Sequence, residues 1–261
     1  MLTARETKLI SDMLAGQKKS LSQLISLAEN DSPHLPEIIK VLHPHLGTAY
    51  CIGITGPPGG GKSTLVDKLT ATIRSKGLSV GIIAVDPTSP ISGGAILGDR
   101  IRMNQHYLDE GVFIRSMATR GSHGGLSKAV ACTVNLLDAS GKDIIIVETV
   151  GVGQTELSIK RIADVLVLVL VPGFGDAIQV MKAGLIEVAD IIVVNKADYE
   201  GTERLVSELK ATLTPKHRGD ERLVVTTQAI NGTGIEELYQ AIDQYRKKRR
   251  EFSERGSVRF R

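Results

Sequence analysis

Residues Cys51–Leu65 read CIGITGPPGGGKSTL. Cys51, Ile52 and Ile54 form a short apolar run, as expected of a buried strand. Lys62 opens a helix that continues through STLVDKLTATIRSK. Between them, Gly56 to Ser63 satisfies G-x-x-x-x-G-K-[ST], the phosphate-binding P-loop pattern. Each residue type has a physical reason. Gly59, Gly60 and Gly61 let the backbone take left-handed angles and approach a ligand closely. Consecutive N–H groups then converge as an anion nest, and the helix start adds the positive end of its dipole. Lys62 is expected to reach the β- and γ-phosphates, and the Ser63 hydroxyl to bind Mg²⁺. Pro57, Pro58 and Thr64 complete the stretch expected to lie against the nucleotide.

From Ala49 onward the chain alternates strand and helix. Expected strands are 50–55, 80–85, 112–116, 143–148, 165–171, 191–195 and 222–227. Expected helices are 62–76, about 98–108, 125–139, 155–162, 176–187, 200–212 and 234–249. Continuous Val/Ile/Leu runs such as VLVLVLV (165–171) mean strands buried on both faces. That implies a mostly parallel sheet between two helical layers, a three-layer α/β nucleotide-binding fold. Residues 4–46 read as helical, with apolar stripes Leu9, Ile10, Met13, Leu14 and Leu21, Leu24, Ile25, Leu27. The expected division is a helical extension over 1–46, a nucleotide-binding domain over 47–245 and a basic tail over 246–261.

Composition narrows the class. Hydrophobic content of 42% and charged content of 23% are those of an ordinary globular protein. No run of eighteen apolar residues and no apolar leader occurs, so no membrane span or secretory signal is expected. Cys51 and Cys132 fall in an expected strand and helix and read as core residues in a reducing cytoplasm. The charge is uneven. Residues 246–261 hold eight Lys/Arg against two Glu, a net +6, which leaves −3 for the rest of a chain totalling +3. The reading of this stretch is a solvated helix end rather than a nucleic-acid or lipid contact. His43 and His45 beside Pro44 read as linker residues.

Asn195-Lys196-Ala197-Asp198 follows the apolar run IIVV, in the position and spelling of the guanine-recognition sequence N-K-x-D. The Asp198 carboxylate accepts the N1–H and the N2 amino group of guanine. Adenine has no N1 proton and would leave that carboxylate unpaired. The Lys196 stem lies along the base, and Asn195 ties this loop to the P-loop. The bound nucleotide is therefore expected to be GTP or GDP. In Thr227-Gln228-Ala229-Ile230 the backbone N–H of Ala229 is expected to meet the guanine O6, with Gln228 where a serine is usual and Ile230 beside it. Glu148-Thr149-Val150-Gly151 matches the D-x-x-G element, with Glu148 toward Mg²⁺ and Gly151 toward the γ-phosphate. The catalytic group is thus Lys62, Glu148 and Gly151. Val152 follows where many regulatory GTPases have a water-orienting Gln, so unassisted hydrolysis is expected well below 1 per second. Asp86 and Asp99 emerge where switch loops should face the cation, giving Ser63, Asp86, Asp99 and Glu148 as the expected metal shell. Gly151-Val152-Gly153 is not a dinucleotide fingerprint, because Glu156 takes the third glycine position. Arg120 and His123 lie in another glycine-rich loop; Arg120 reads either as a group neutralising phosphate charge or as a surface arginine, and His123 as structural.

Taken together, GPPGGGKST (56–64), AVDPTSP (84–90), SGGAILGDRIRM (92–103), IRSMATRG (114–121), ETVGVGQTE (148–156), GDAIQVMKAG (175–184) and EVADIIVVNKAD (187–198) resemble one family closely. It is the MeaB/ArgK-type GTPases, chaperones of adenosylcobalamin-dependent acyl-CoA mutases. The resemblance implies a SIMIBI-class P-loop NTPase fold and a GTPase that loads or protects the B12 cofactor of a methylmalonyl-CoA-type mutase. It also implies Asp86, Asp99 and Glu148 around Mg²⁺, a partner-sensing switch near 173–182, and a homodimer built partly by an extension beyond a C-terminus such as this one. Other readings are a SIMIBI metallochaperone for a nickel enzyme, a transport-system kinase, and an assembly switch with negligible turnover. A metal-delivery role calls for clustered Cys and His, and this chain has two isolated cysteines and six scattered histidines.

Overall fold

The computed structural model describes residues 2–86, 103–118, 123–149, 159–173, 184–213 and 223–255. In chain order the elements are α1 (Ala4–Leu14), α2 (Lys18–Glu29), α3 (Leu35–Leu42), β1 (Tyr50–Thr55), α4 (Lys62–Ser75), β2 (Val80–Asp86), β3 (Val112–Ala118), α5 (His123–Ala139), β4 (Ile144–Thr149), β5 (Val165–Leu170), α6 (Leu185–Val188), β6 (Ile191–Asn195), α7 (Thr202–Thr212), β7 (Leu223–Thr227) and α8 (Ile235–Arg255). Short 3₁₀ turns at His43–His45 and Asn104–His106 join them. The sheet has the order β3-β2-β4-β1-β5-β6-β7, and every pair is parallel.

Strand period explains the layers. Successive side chains point to opposite faces, so each central strand feeds two cores. Ile52 and Ile54 of β1 pack with Leu65, Leu69 and Ile73 of α4 and Leu238 of α8. Cys51 faces the other way, with Ile145 and Val147 of β4, Leu136 of α5, and Leu9, Leu24 and Ile38 of the N-terminal helices. Gly53 shares that second face, where a Cβ would stand 2.7 Å from Ile159, so any larger residue would force that side chain to shift. Leu168 and Leu170 of β5 and Ile192 and Val194 of β6 pack with α6 and α7. Burial pushes the Cys51 thiol far up from its ordinary value, consistent with an inert core residue.

The N-terminal helices share the core of the sheet. The Arg115 guanidinium of β3 is paired with Glu29 of α2 and donates to Ser26 Oγ at 3.1 Å. Asp138 of α5 accepts from the N–H groups of Gly47, Thr48 and Ala49 at 2.5, 3.1 and 2.9 Å, fixing the entry into β1.

Several element limits differ from the sequence reading. The strand expected over 112–116 runs on to Ala118, and of the helix expected over 98–108 the described part is a single 3₁₀ turn. The helix expected to end at 249 continues to Arg255, across the expected boundary at 246. Side chains along it are partly docked. Arg246 lies over the Tyr50 ring at 5.1 Å, Arg249 donates to the Asp164 carbonyl, and Tyr245 donates to Asp190 Oδ1 at 2.8 Å. Among the described residues no helix is long and apolar enough to cross a membrane.

Candidate nucleotide-binding site

All strands are parallel, so β1, β4, β6 and β7 end on one edge of the sheet. In open α/β sheets ligands bind at that edge. β1 ends in Gly56–Gly61, which leads into α4. Gly61 is the N-cap of α4 at φ +82°, and no side chain caps this helix. A helix start with no side-chain cap, directly after a glycine loop, is the arrangement that receives phosphate. Lys62 Nζ is buried and donates to the carbonyls of Gly56 and Pro57, both at 2.9 Å. It is held in the cradle by the loop it would serve.

Ile54 is in register with Glu148, so β4 sets that carboxylate beside the P-loop. Ser63 Oγ donates to Glu148 Oε1 at 2.7 Å, and both residues are buried. The donor set is two hard oxygens, which suits Mg²⁺; that ion keeps waters and phosphate oxygens as its other ligands and needs no protein cage. One residue on, Thr149 Oγ1 donates to Thr55 Oγ1 at 3.1 Å, joining the ends of β4 and β1. The sequence reading gave these two hydroxyls no part. Of the other expected metal ligands, Asp99 lies outside the described residues, and Asp86 ends β2 with its side chain not described. Gly151 and Val152 also lie outside them.

On the other side of β1 the base loops come together. Asn195 ends β6, is 2% exposed, and touches three segments. Its Nδ2 donates to Gly60 O at 2.9 Å. Its Oδ1 accepts from Thr227 Oγ1 at 2.9 Å and from the Ala229 N–H at 3.1 Å. P-loop, N-K-x-D loop and Gln228–Ala229 loop thus converge on one amide. The Ala229 N–H expected to face a guanine O6 is already bonded here, so O6 would share that donor or take the next one, at Ile230. Gln228 serves its own loop. Its N–H donates to Thr233 O at 3.0 Å, and its Oε1 accepts from Asn231 Nδ2 at 3.0 Å. Asp198 is exposed, in a turn closed by the Tyr199 N–H on Lys196 O at 2.9 Å. Thr64 is half-buried on the first turn of α4, Pro57 is buried and Pro58 exposed.

The α4 helix carries a second polar cluster that sequence reading missed. Asp67, one turn past Ser63, accepts from Gln105 Nε2 and lies 3.3 Å from His106 Nε2. Its partners are thirty-eight and thirty-nine residues away in the chain.

Residues 21–259 match the family model described as methylmalonyl Co-A mutase-associated GTPase MeaB. A GTPase-named protein of Pyrococcus abyssi is 54% identical, over 95% of this chain and 77% of its own length. The GTPase ArgK of Escherichia coli is 36% identical, over 88% of this chain and 72% of its own length. The crystal structure of the LAO/AO transport system kinase superposes with a TM-score of 0.74 at 29% identity, covering 95% of this chain and 76% of that one. With a P-loop, a guanine-type base loop and a family match over most of its length, the chain belongs to the MeaB family of mutase-associated GTPases.

Proposed function

We propose that this chain binds GTP at the edge formed by β1, β4, β6 and β7, hydrolyses it slowly, and acts as a cytoplasmic chaperone for an adenosylcobalamin-dependent acyl-CoA mutase. The observation that carries the reading is the Asn195 amide, which joins a phosphate loop to a base loop spelled for guanine. In this reading Lys62 leaves the Gly56 and Pro57 carbonyls for the β- and γ-phosphates, and the α4 N-terminus holds the phosphate charge. Ser63 and Glu148 hold Mg²⁺, joined by Asp86 and Asp99. A bound Mg²⁺ supplies charge neutralisation on the phosphates. Gly151 contacts the γ-phosphate. Asp198 reads the guanine edge, with Ala229 and Ile230 toward O6. Val152 offers no group to orient the attacking water, so the missing geometry comes from a partner. GTP occupancy sets two states, and the mutase binds one of them better. The mutase as partner is supported by the family match, and a homodimer is the assembly we propose.

The test is steady-state GTP hydrolysis by the purified protein, alone and with a methylmalonyl-CoA-type mutase. Expected are a rate below about 1 per second alone and a several-fold acceleration by the mutase. An unchanged rate, with no binding to the mutase by calorimetry in any nucleotide state, would overturn the chaperone reading and leave the GTPase reading standing.

A further inference from the structure

The turn that presents Asp198 is closed twice. Its backbone closure is the Tyr199 N–H on Lys196 O at 2.9 Å. Lys196 enters that turn at φ +57°, a left-handed angle that a lysine holds only when its surroundings fix it. The second closure is between side chains, with Lys196 Nζ 5.6 Å from the centre of the Tyr199 ring, inside the range of a cation–π contact. Thr202 Oγ1, on the first residue of α7, donates to the Tyr199 carbonyl at 2.7 Å and anchors the far end. Tyr199 is 47% exposed and belongs to no core cluster, so packing of the interior does not account for it.

We propose that Tyr199 is a positioning residue for guanine recognition. It clasps the Lys196 side chain so that the aliphatic stem stands as a fixed wall for the base, and it holds Asp198 between the two closures at the base edge. The inference rests on the reading of this loop as a guanine site. Tyr199 need not touch the nucleotide. It acts through Lys196 and through the angle of the turn.

The chemistry separates this from a merely structural role. A cation–π contact at an exposed site contributes about 0.5–1 kcal/mol, which converts to about two- to fivefold in affinity. Tyr199→Leu keeps an apolar side chain and loses the π face. Tyr199→Phe keeps the face and loses only the hydroxyl. The experiment is calorimetric titration of the full chain with GDP and with IDP, which lacks the 2-amino group that Asp198 reads. Expected for Tyr199→Leu is GDP affinity lowered about two- to fivefold, a smaller loss for IDP, and hence a narrower GDP-to-IDP ratio. Tyr199→Phe should match the parent in both, and thermal melting should be the same for all three. Equal GDP affinity and an equal GDP-to-IDP ratio in Tyr199→Leu would overturn the proposal while leaving the guanine site intact. Equal loss for both nucleotides, or loss in Tyr199→Phe as well, would also overturn it. Failure of the parent chain to prefer GDP to ADP would instead remove the reading beneath it.

Discussion

Replacing Asn195 with alanine tests the join between the two halves of the site. The side chain is 2% exposed, and its removal breaks three hydrogen bonds of 2.9, 2.9 and 3.1 Å. A net intramolecular hydrogen bond contributes about 1 kcal/mol, and a buried partner left unpaired costs about 1–3 kcal/mol. The partners here are the Gly60 carbonyl, the Thr227 hydroxyl and the Ala229 N–H, all on buried residues. Water entering the vacated space restores part of the loss, so the expected fall in unfolding free energy is about 2–4 kcal/mol rather than the full sum. Urea denaturation with an unchanged m-value measures it. Thr227→Val removes one of the three bonds and should cost about 1 kcal/mol. Because the groups share one amide, the double variant should cost less than the two single losses added. GDP affinity should fall at least tenfold in Asn195→Ala, about 1.4 kcal/mol, because the ligand must then hold together loops that the amide holds in the free protein. A loss of stability below about 1 kcal/mol, or GDP affinity within twofold of the parent, would refute this account of the join.

Glu148→Gln keeps an acceptor for the Ser63 hydroxyl but removes the charge, so folding should be unchanged and the Mg²⁺ concentration for half-maximal hydrolysis should rise about tenfold, read by Mg²⁺ titration. Glu6 accepts from the Thr3 N–H and the His34 ring, which hold its carboxyl at about 2 against an ordinary 4.5. A depressed folded value means stability that is present above 4.5 and lost as the pH falls toward 2; Glu6→Gln should flatten the acid limb of a melting-temperature profile across that window. Gly59 is at φ +74° with open space around it, whereas Gly61 is at φ +82° with the Asn195 amide inside 3.0 Å of where a Cβ would stand. Gly59→Asn should therefore cost under about 1 kcal/mol in urea unfolding, and Gly61→Ala more than about 2 kcal/mol.

What the sequence makes legible is whatever repeats with a short period or sits in one unbroken motif. The seven strands are read from Val/Ile runs because parallel strands are buried on both faces. The P-loop and its helix are read because phosphate chemistry fixes residue types at fixed spacing. The long-range side-chain contacts are not legible in this way. Arg115 with Glu29, Asp138 with residues 47–49, and Arg246 over Tyr50 join parts of the chain that no periodicity connects. The basic run after 245 reads as a solvated helix end, and no spacing shows that Arg246 and Arg249, within α8, reach Tyr50 and Asp164. The same holds within the site. Sequence assigns the Ala229 N–H to a base atom, because spacing cannot reveal that an amide thirty-four residues earlier already holds it.

The glycines of the P-loop have a cause that precedes any ligand. β1 lies beside β5, and β5 beside β6, so the loop leaving β1 must cross the end of β5 to meet Asn195 two strands away. Adjacent strands are about 4.8 Å apart, so the loop covers roughly 10 Å while hugging the sheet edge. A Cβ on Gly56, at φ +144°, would fall inside 3.0 Å of the Val169 carbonyl of β5, and one on Gly61 inside 3.0 Å of the Asn195 amide of β6. Gly56 and Gly61 are thus required by the neighbouring strands, one at each end of the crossing. Gly59 sits at the open crest with nothing near it and is required only for its backbone angle. The same crossing brings Gly60 O within 2.9 Å of Asn195 Nδ2, and α4 starts directly at its end with no side-chain cap. The phosphate cradle and the base loop are therefore one consequence of strand order: the sheet sets where the loop must run, and that path orients the N–H groups an anion would meet.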